Sequence, residues 1–302
     1  MSATMGAAAS DLQAARLVTE DLARFWRAFD DAGEAVAVEP FAQQYLAAGT
    51  PGLHAFARLR IGEAWQLAEA VRQRRGYYAS LRSVTDGIGA LTSRIRASFG
   101  ALAGLYPEAR FPDVYFLFGR MQAAGSVAEE GILIGLEFYG RVAGAPLEEL
   151  LPWERNVLQS PDLIPAVVAH ELVHVQQRHP SEPPERQHTL LRCAIEEGAA
   201  DFLGELSSGQ IINSHLHAYG APRERELYAQ FAREADGEAI DGWLYDAQRP
   251  REPGRPADLG YFVGYKIVEA YYRRAQNKRQ AVQDILHIQD FPAFLDASGY
   301  RQ

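Results

Sequence analysis

Residues 166–174, Ala-Val-Val-Ala-His-Glu-Leu-Val-His, contain the most informative pattern in this sequence. A helix is predicted here, opening near residues 160–162 and closing at His179-Pro180. His170 and His174 are four residues apart, about 40° and ~6 Å along such a helix. Both imidazoles can therefore reach one tetrahedral metal ion, and Glu171 stands beside the first of them.

A second helix is predicted from about Thr189 to Leu206, and it offers a third ligand. We predict that Glu197 binds the metal and that Asp201, one turn on, accepts the N–H of a ligand histidine. Cys193, Glu196 or a histidine elsewhere are the alternatives for the third ligand. The small residues that follow Glu197 predict close packing of this helix on the first.

Three protein ligands and an open position for water are typical of a catalytic zinc site. Glu171 is placed to take a proton from the metal-bound water, which predicts metal-assisted hydrolysis of a peptide bond. Two alternatives stay open. One is a zinc-dependent hydrolase of a non-peptide amide or ester, and the other is a non-catalytic metal-binding protein, for which no base would be needed.

The two motifs together resemble those of the thermolysin-like (gluzincin) zinc metallopeptidases. The resemblance implies a zincin-like fold in which His170, His174 and Glu197 bind Zn²⁺. It implies further that Glu171 is the general base, that Asp201 orients a histidine, and that the substrate is a peptide or protein.

Two further segments, 131–137 and 260–265, resemble a bacterial family of predicted zinc-dependent proteases of unknown function. That resemblance covers roughly residues 111 to 300. One departure lies beside the third ligand, where Glu196 replaces the asparagine of thermolysin, so the surroundings of the metal are expected to differ there.

A hydrogen-bond donor to the oxyanion is still needed for such chemistry. Tyr261 and Tyr265 are four apart on a helix predicted from Tyr261 to Arg274, and we predict that one of them is this donor. His215 and His217 are the alternatives. A phenol is preferred because it stays protonated at neutral pH, whereas burial near a metal favours neutral histidine.

The predicted fold class is α+β and predominantly helical, with a small sheet packed on a two-helix zinc site. Residues 1–105 are predicted to form a helical N-terminal region, and 106–302 a zincin-like region with C-terminal helices. Strands are predicted at 111–119 and 131–138, joined by an irregular hairpin-like connection. The strand at Val114–Phe118 or the one at Ile132–Leu136 is predicted to bind substrate as an added strand.

Composition narrows the function classes. The chain has 302 residues, 47% hydrophobic, with a net charge of −9, which excludes disorder and disfavours nucleic-acid binding. No apolar stretch reaches the ~20 residues of a membrane span. Residues 1–13 show no signal-peptide pattern, so we expect a cytoplasmic protein, or a periplasmic or secreted one if an export signal has been removed.

Overall fold

The computed structural model describes residues 12–178, 188–248 and 254–301. Helices predominate, and one four-stranded mixed sheet accompanies them. This confirms the α+β class predicted from the sequence. The predicted helix end at His179-Pro180 and the first part of the loop predicted at 249–256 lie outside the described residues.

The sheet is short and is built from three separate parts of the chain. Its strands are β1 (Leu17–Val18), β2 (Val114–Leu117), β3 (Gly125–Ala128) and β4 (Gly131–Gly135). The order across the sheet is β1-β2-β4-β3. β2 runs parallel to both β1 and β4, while β3 runs antiparallel to β4 and forms one edge.

The two predicted strands exist but are shorter than expected, and the segment predicted as an irregular connection contains the strand β3. The prediction that β2 or β4 accepts an added substrate strand is wrong. β4 is paired on both sides, and β2 is paired with β4 along its length and with β1 at Val114 and Tyr115. Their continuous apolar sequences belong to strands inside a sheet, which have a neighbouring strand on each side.

Between β1 and β2 the chain forms six helices. They are α1 (Glu20–Asp31), α2 (Val38–Pro40), α3 (Pro51–Phe56), α4 (Ala64–Gln73), α5 (Arg75–Ser80) and α6 (Arg82–Leu105). Two π-helical segments, Phe41–Leu46 and Ala57–Ile61, continue α2 and α3. In the described part of this region, residues 12–105, the regular elements are thus helical apart from β1.

Eight further helices follow the sheet within the part of the chain that the structure describes. They are α7 (Pro152–Val157), α8 (Ile164–Gln176), α9 (Leu190–Ser208), α10 (Ser214–Gly220), α11 (Glu224–Glu234), α12 (Leu259–Arg274), α13 (Lys278–Leu286) and α14 (Phe291–Ser298). Short 3-10 turns occur at Leu136–Phe138, Leu147–Glu149, Pro161–Leu163 and Ala221–Arg223.

The described chain forms two compact units. One lies within Ala9–Arg96 and Arg110–Glu171 and holds the sheet, so we call it the sheet unit. The other lies within Ala97–Ala109 and Leu172–Gln302 and is called the helical unit. The units alternate along the chain, and the division into 1–105 and 106–302 stays a prediction.

The sheet unit contains a fully buried carboxylate. Glu137 is 0% exposed and accepts hydrogen bonds from the backbone N–H groups of Gly119, at 2.9 Å, and Met121, at 3.2 Å. Burial raises its pKa to about 7, although both hydrogen bonds act in the opposite direction. Glu137 thus fixes the chain where it leaves β2.

The helical unit is organised by the crossing of α9 and α12. A Cβ atom added to Gly198 would lie 2.0 Å from the carbonyl carbon of Gly264, and one added to Gly264 would lie 1.7 Å from the carbonyl oxygen of Ala194. The two backbones are therefore in direct contact. The small residue after Glu197 was predicted to face the first motif helix, but Gly198 faces α12.

Candidate metal centre

The first motif lies on a buried helix, as its apolar neighbours predict. Ser160 caps the turn that leads into α8 by accepting a hydrogen bond from the backbone N–H of Asp162, at 3.4 Å. Residues 164–173 of α8 are all buried, and His170 is only 6% exposed. A histidine at such a position must have a polar partner or a ligand, because burial removes its water.

The second motif lies on α9, whose limits agree closely with the prediction. The side chain of Thr189 accepts a hydrogen bond from the backbone N–H of Arg192, and Gly209 ends the helix with a φ of +74°. Glu197 and Asp201 are both buried, 8% and 7% exposed. This acidic pair therefore belongs to the interior and not to a solvated helix face.

The structure brings the three predicted ligands together. One ligand atom from each of His170, His174 and Glu197 lies within 4.8 Å of the others. The two histidines are one turn apart on the continuous helix α8, and His174 Nε2 is 3.3 Å from Glu197 Oε2. Two imidazole nitrogens and one carboxylate oxygen form the donor set of many three-ligand zinc sites.

Hydrogen bonds fix which nitrogen of His174 carries hydrogen. The main-chain oxygen of Glu196 can only accept, and Gln177 Nε2 donates to it at 2.8 Å. Gln177 Oε1 therefore faces His174 Nδ1, at 2.8 Å, and that nitrogen must be the donor. In the neutral ring the lone pair is then on Nε2, the nitrogen that faces Glu197.

The two oxygens of Glu197 have different neighbours. Oε2 faces His174, whereas Oε1 accepts a hydrogen bond from the hydroxyl of Tyr245 at 2.5 Å. Although the residue as a whole is exposed, loss of water around its phenol oxygen and the nearby Glu197 carboxylate raise the pKa of Tyr245, which keeps the phenol protonated. Sequence reasoning missed Tyr245, because it lies 48 residues beyond Glu197 in a segment that matches no motif.

Glu171 lies against the edge strand of the sheet unit. It is 8% exposed, and a Cβ atom added to Gly125 of β3 would lie 2.3 Å from its Oε1. Glycine at this position thus leaves room for the Glu171 carboxylate. Glu171 is not one of the three residues whose ligand atoms cluster.

Asp201 accepts a hydrogen bond from a side chain in the segment between α9 and α10. Asn213 Nδ2 donates to Asp201 Oδ2 at 2.8 Å. Asn213 is a further residue that sequence reasoning missed. The orientation of a ligand histidine by Asp201 stays a prediction.

The two alternatives for the third ligand have other surroundings. Glu196 forms an ion pair with Arg192 at 2.8 Å, and burial raises its pKa. Cys193 is buried, and burial raises the pKa of its thiol to about 11. Neither belongs to the metal-ligand cluster found among the described residues.

The four residues considered as oxyanion donors all lie in the helical unit. Tyr265 donates its hydroxyl hydrogen to Glu205 at 2.6 Å. The Tyr261 ring lies 6.4 Å from that of Tyr245, and burial raises its pKa. His217 packs edge-on against Tyr265, 4.5 Å between centroids, and His215 is exposed.

Comparison with known proteins identifies the family of this chain. Residues 18–302 match a family model of the lipoprotein type described as gliding motility protein GldB. The chain belongs to the GldB family. No curated protein and no solved structure matches it.

Membership of the GldB family overturns the assignment to the gluzincin metallopeptidases or to the bacterial protease family. Zinc-dependent peptide hydrolysis, with Glu171 as general base and a peptide substrate, falls with that assignment. The physical reason is that the histidine spacing specifies a way to hold a metal ion and does not specify a reaction. Two histidines one turn apart are what any metal-binding helix needs, whatever the metal then does.

No described helix is long and apolar enough to cross a membrane. This agrees with the absence of a long apolar stretch in the sequence.

Proposed function

We propose that this chain is a zinc-binding member of the GldB family, in which His170, His174 and Glu197 hold one Zn²⁺ ion. The proposal concerns the metal and its structural effect. A bound zinc ion would link α8 to α9 and stabilise the folded state in proportion to its affinity.

One observation carries the proposal. His174 Nε2 faces Glu197 Oε2 at 3.3 Å, and in the neutral ring both atoms present lone pairs. Facing lone pairs repel, so a cation between them is needed, either a proton or a metal ion. A ligand nitrogen of His170 lies within 4.8 Å of both partners. This favours a metal ion, because a shared proton joins two atoms whereas zinc is held by three or four ligands.

The choice of zinc follows from the donor types. Imidazole nitrogen suits zinc, copper, iron and nickel, whereas calcium and magnesium prefer sites made of oxygen alone. A cluster of two imidazoles and one carboxylate is among the usual zinc sets. The burial of His170 and Glu197 adds to this, since it removes the water that would otherwise compete for the ion.

The arrangement also supports a zincin-like fold around the proposed site. The histidine helix α8 is followed by the glutamate helix α9, and the sheet has an antiparallel edge strand, β3. Within the sheet unit, Gly125 of that strand contacts Glu171.

The family description supports a role connected with gliding motility, and its lipoprotein type supports a location in the cell envelope. We therefore favour the periplasmic or secreted alternative over the cytoplasmic one. Fractionation of cells that produce the full-length protein tests this: recovery with the envelope is expected, and recovery only in the cytosol would contradict it.

Metal analysis tests the zinc site. The purified protein is loaded with zinc, dialysed against buffer and analysed for bound metal, beside His174→Ala and the control His188→Ala. His188 is exposed and lies outside the ligand cluster, so its removal should change nothing. We expect about one zinc ion per chain for the wild type and the control, and little for His174→Ala.

The proposal is overturned if the wild type retains no zinc. It is equally overturned if His174→Ala retains as much zinc as His188→Ala, because the ion would then be bound elsewhere.

A further inference from the structure

Tyr245 reaches the proposed metal site from the surface of the helical unit. The residue is 59% exposed, yet its hydroxyl lies 2.5 Å from Oε1 of the buried Glu197. An exposed aromatic side chain ordinarily has no fixed position. Here the hydroxyl end is hydrogen-bonded to Glu197, the carboxylate that we propose as a metal ligand.

The backbone that presents Tyr245 is strained. Tyr245 has a φ of +57° and Asp258 a φ of +63°, a region that residues other than glycine rarely adopt. The backbone N–H of Asp246 donates to Asp258 Oδ1 at 2.9 Å, so the two strained positions are joined. Strain of this kind persists only where the surrounding contacts impose it.

The hydroxyl of Tyr245 leaves Glu197 one oxygen for a metal ion. A carboxylate can bind zinc through one oxygen or through both. Oε1 accepts from Tyr245 while Oε2 faces His174, so Oε2 is the oxygen seen next to another residue of the cluster. Without the phenol, Oε1 is free to turn towards the ion.

We propose that Tyr245 is a positioning residue that holds Glu197 in one-oxygen binding and thereby sets the affinity and exchange of the metal. The inference rests on the proposed zinc site and assigns its regulation. Because the ring of Tyr245 is exposed, a partner or a change in the surrounding loop can break this hydrogen bond without entering the buried site.

The test compares Tyr245→Phe with Tyr271→Phe. Both substitutions remove one hydroxyl that donates to a carboxylate, since Tyr271 donates to Asp284 at 2.7 Å in the same unit. Zinc affinity is measured by competition with a chromophoric chelator, and coordination by the visible spectrum of the Co²⁺-loaded protein. Tyr245→Asn serves as a second variant, because asparagine tolerates positive φ and removes the phenol without adding strain.

We expect Tyr245→Phe and Tyr245→Asn to bind zinc about 10–100-fold more weakly, the usual cost of losing a partner of a metal ligand. One metal ion should still bind at saturation. The cobalt spectrum should change towards higher coordination as Glu197 binds through both oxygens. Tyr271→Phe should match the wild type in both measurements.

Unchanged affinity and an unchanged cobalt spectrum in the two Tyr245 variants would overturn this inference while leaving the zinc site intact. A wild-type protein that binds neither zinc nor cobalt would overturn both.

Discussion

Two buried carboxylates, one in each unit, have opposite surroundings. Glu137 of the sheet unit accepts two backbone N–H groups, from Gly119 and Met121. Glu197 of the helical unit is flanked by side chains, with His174 at one oxygen and Tyr245 at the other. Both are removed from water, at 0% and 8% exposure.

The difference shows what makes a buried carboxylate a candidate ligand. Backbone donors satisfy Glu137 within the fold, and the remaining cost of burial appears as a pKa raised to about 7. Around Glu197 the neighbour is an imidazole nitrogen of His174, and the proposed function places a zinc ion between the two. The chemistry of the neighbours, and not burial alone, separates a structural group from a binding group.

Two substitutions should separate these roles and give the largest effects. Glu197→Ala should weaken zinc binding by more than about 100-fold, because the loss of a direct ligand exceeds that of its partner. Glu137→Ala should leave zinc binding unchanged but lower the free energy of unfolding by about 1–3 kcal/mol for each N–H left unpaired. Zinc titration and urea unfolding in the presence of a chelator measure the two effects.

The distinction between Glu137 and Glu197 is wrong if the two substitutions do not differ in their effects on zinc affinity and on the free energy of unfolding. A Glu137→Ala protein that folds as stably as the wild type would show that the two N–H groups find other partners. One that folds but loses zinc would show that Glu137 contributes to the metal site.

The titration of Glu137 predicts a pH dependence of stability. Its pKa of about 7 in the folded protein is above the ordinary value of 4.5, so the folded state binds the proton more tightly than the unfolded state does. This contribution is fully present below pH 4.5 and is lost as the pH rises through 7. Glu137→Gln, which cannot titrate, should remove it.

Urea unfolding of the wild type and Glu137→Gln, each with chelator and at several pH values between 4 and 8, measures this effect. The difference in unfolding free energy between the two proteins should change with pH mainly between 4.5 and 7. A constant difference would mean that Glu137 does not titrate there.

The smallest effect is expected at Gln177. Gln177→Leu removes the acceptor that fixes the hydrogen on His174 Nδ1, and zinc affinity should fall by about 10-fold. The matched control is Gln280→Leu, since Gln280 is an exposed amide that bonds to Asp284 at 2.9 Å, outside the ligand cluster. Equal zinc affinity in both variants would show that Gln177 is not required to hold the hydrogen on His174 Nδ1.

The sequence predicted the helices of the site because their signals are local. Capping by Thr189, the stop at Gly209 and the spacing of His170 and His174 all act within one or two turns. The same reasoning placed Glu197 near the histidines, since a short list of residue types can bind a metal. The segment around β3 was missed because four residues carry little periodicity.

What the sequence did not predict depends on contacts between distant parts of the chain. Tyr245 meets Glu197 only through the path of a loop, and Asn213 meets Asp201 in the same way. The predicted activity, zinc-dependent hydrolysis of a peptide bond, was wrong for a related reason. A motif specifies how a metal is held, while a reaction also requires a substrate site, which no spacing of histidines describes.

The contact between Gly198 and Gly264 has a consequence for the ion selectivity of the proposed zinc site. Where two helices touch backbone to backbone, neither can slide or roll without collision, and Glu197 is the residue next to that contact. Its main chain cannot retreat to admit a larger ion. Discrimination by ionic radius, which depends on the rigidity of a site as much as on its ligands, would therefore originate in two residues that never touch the ion.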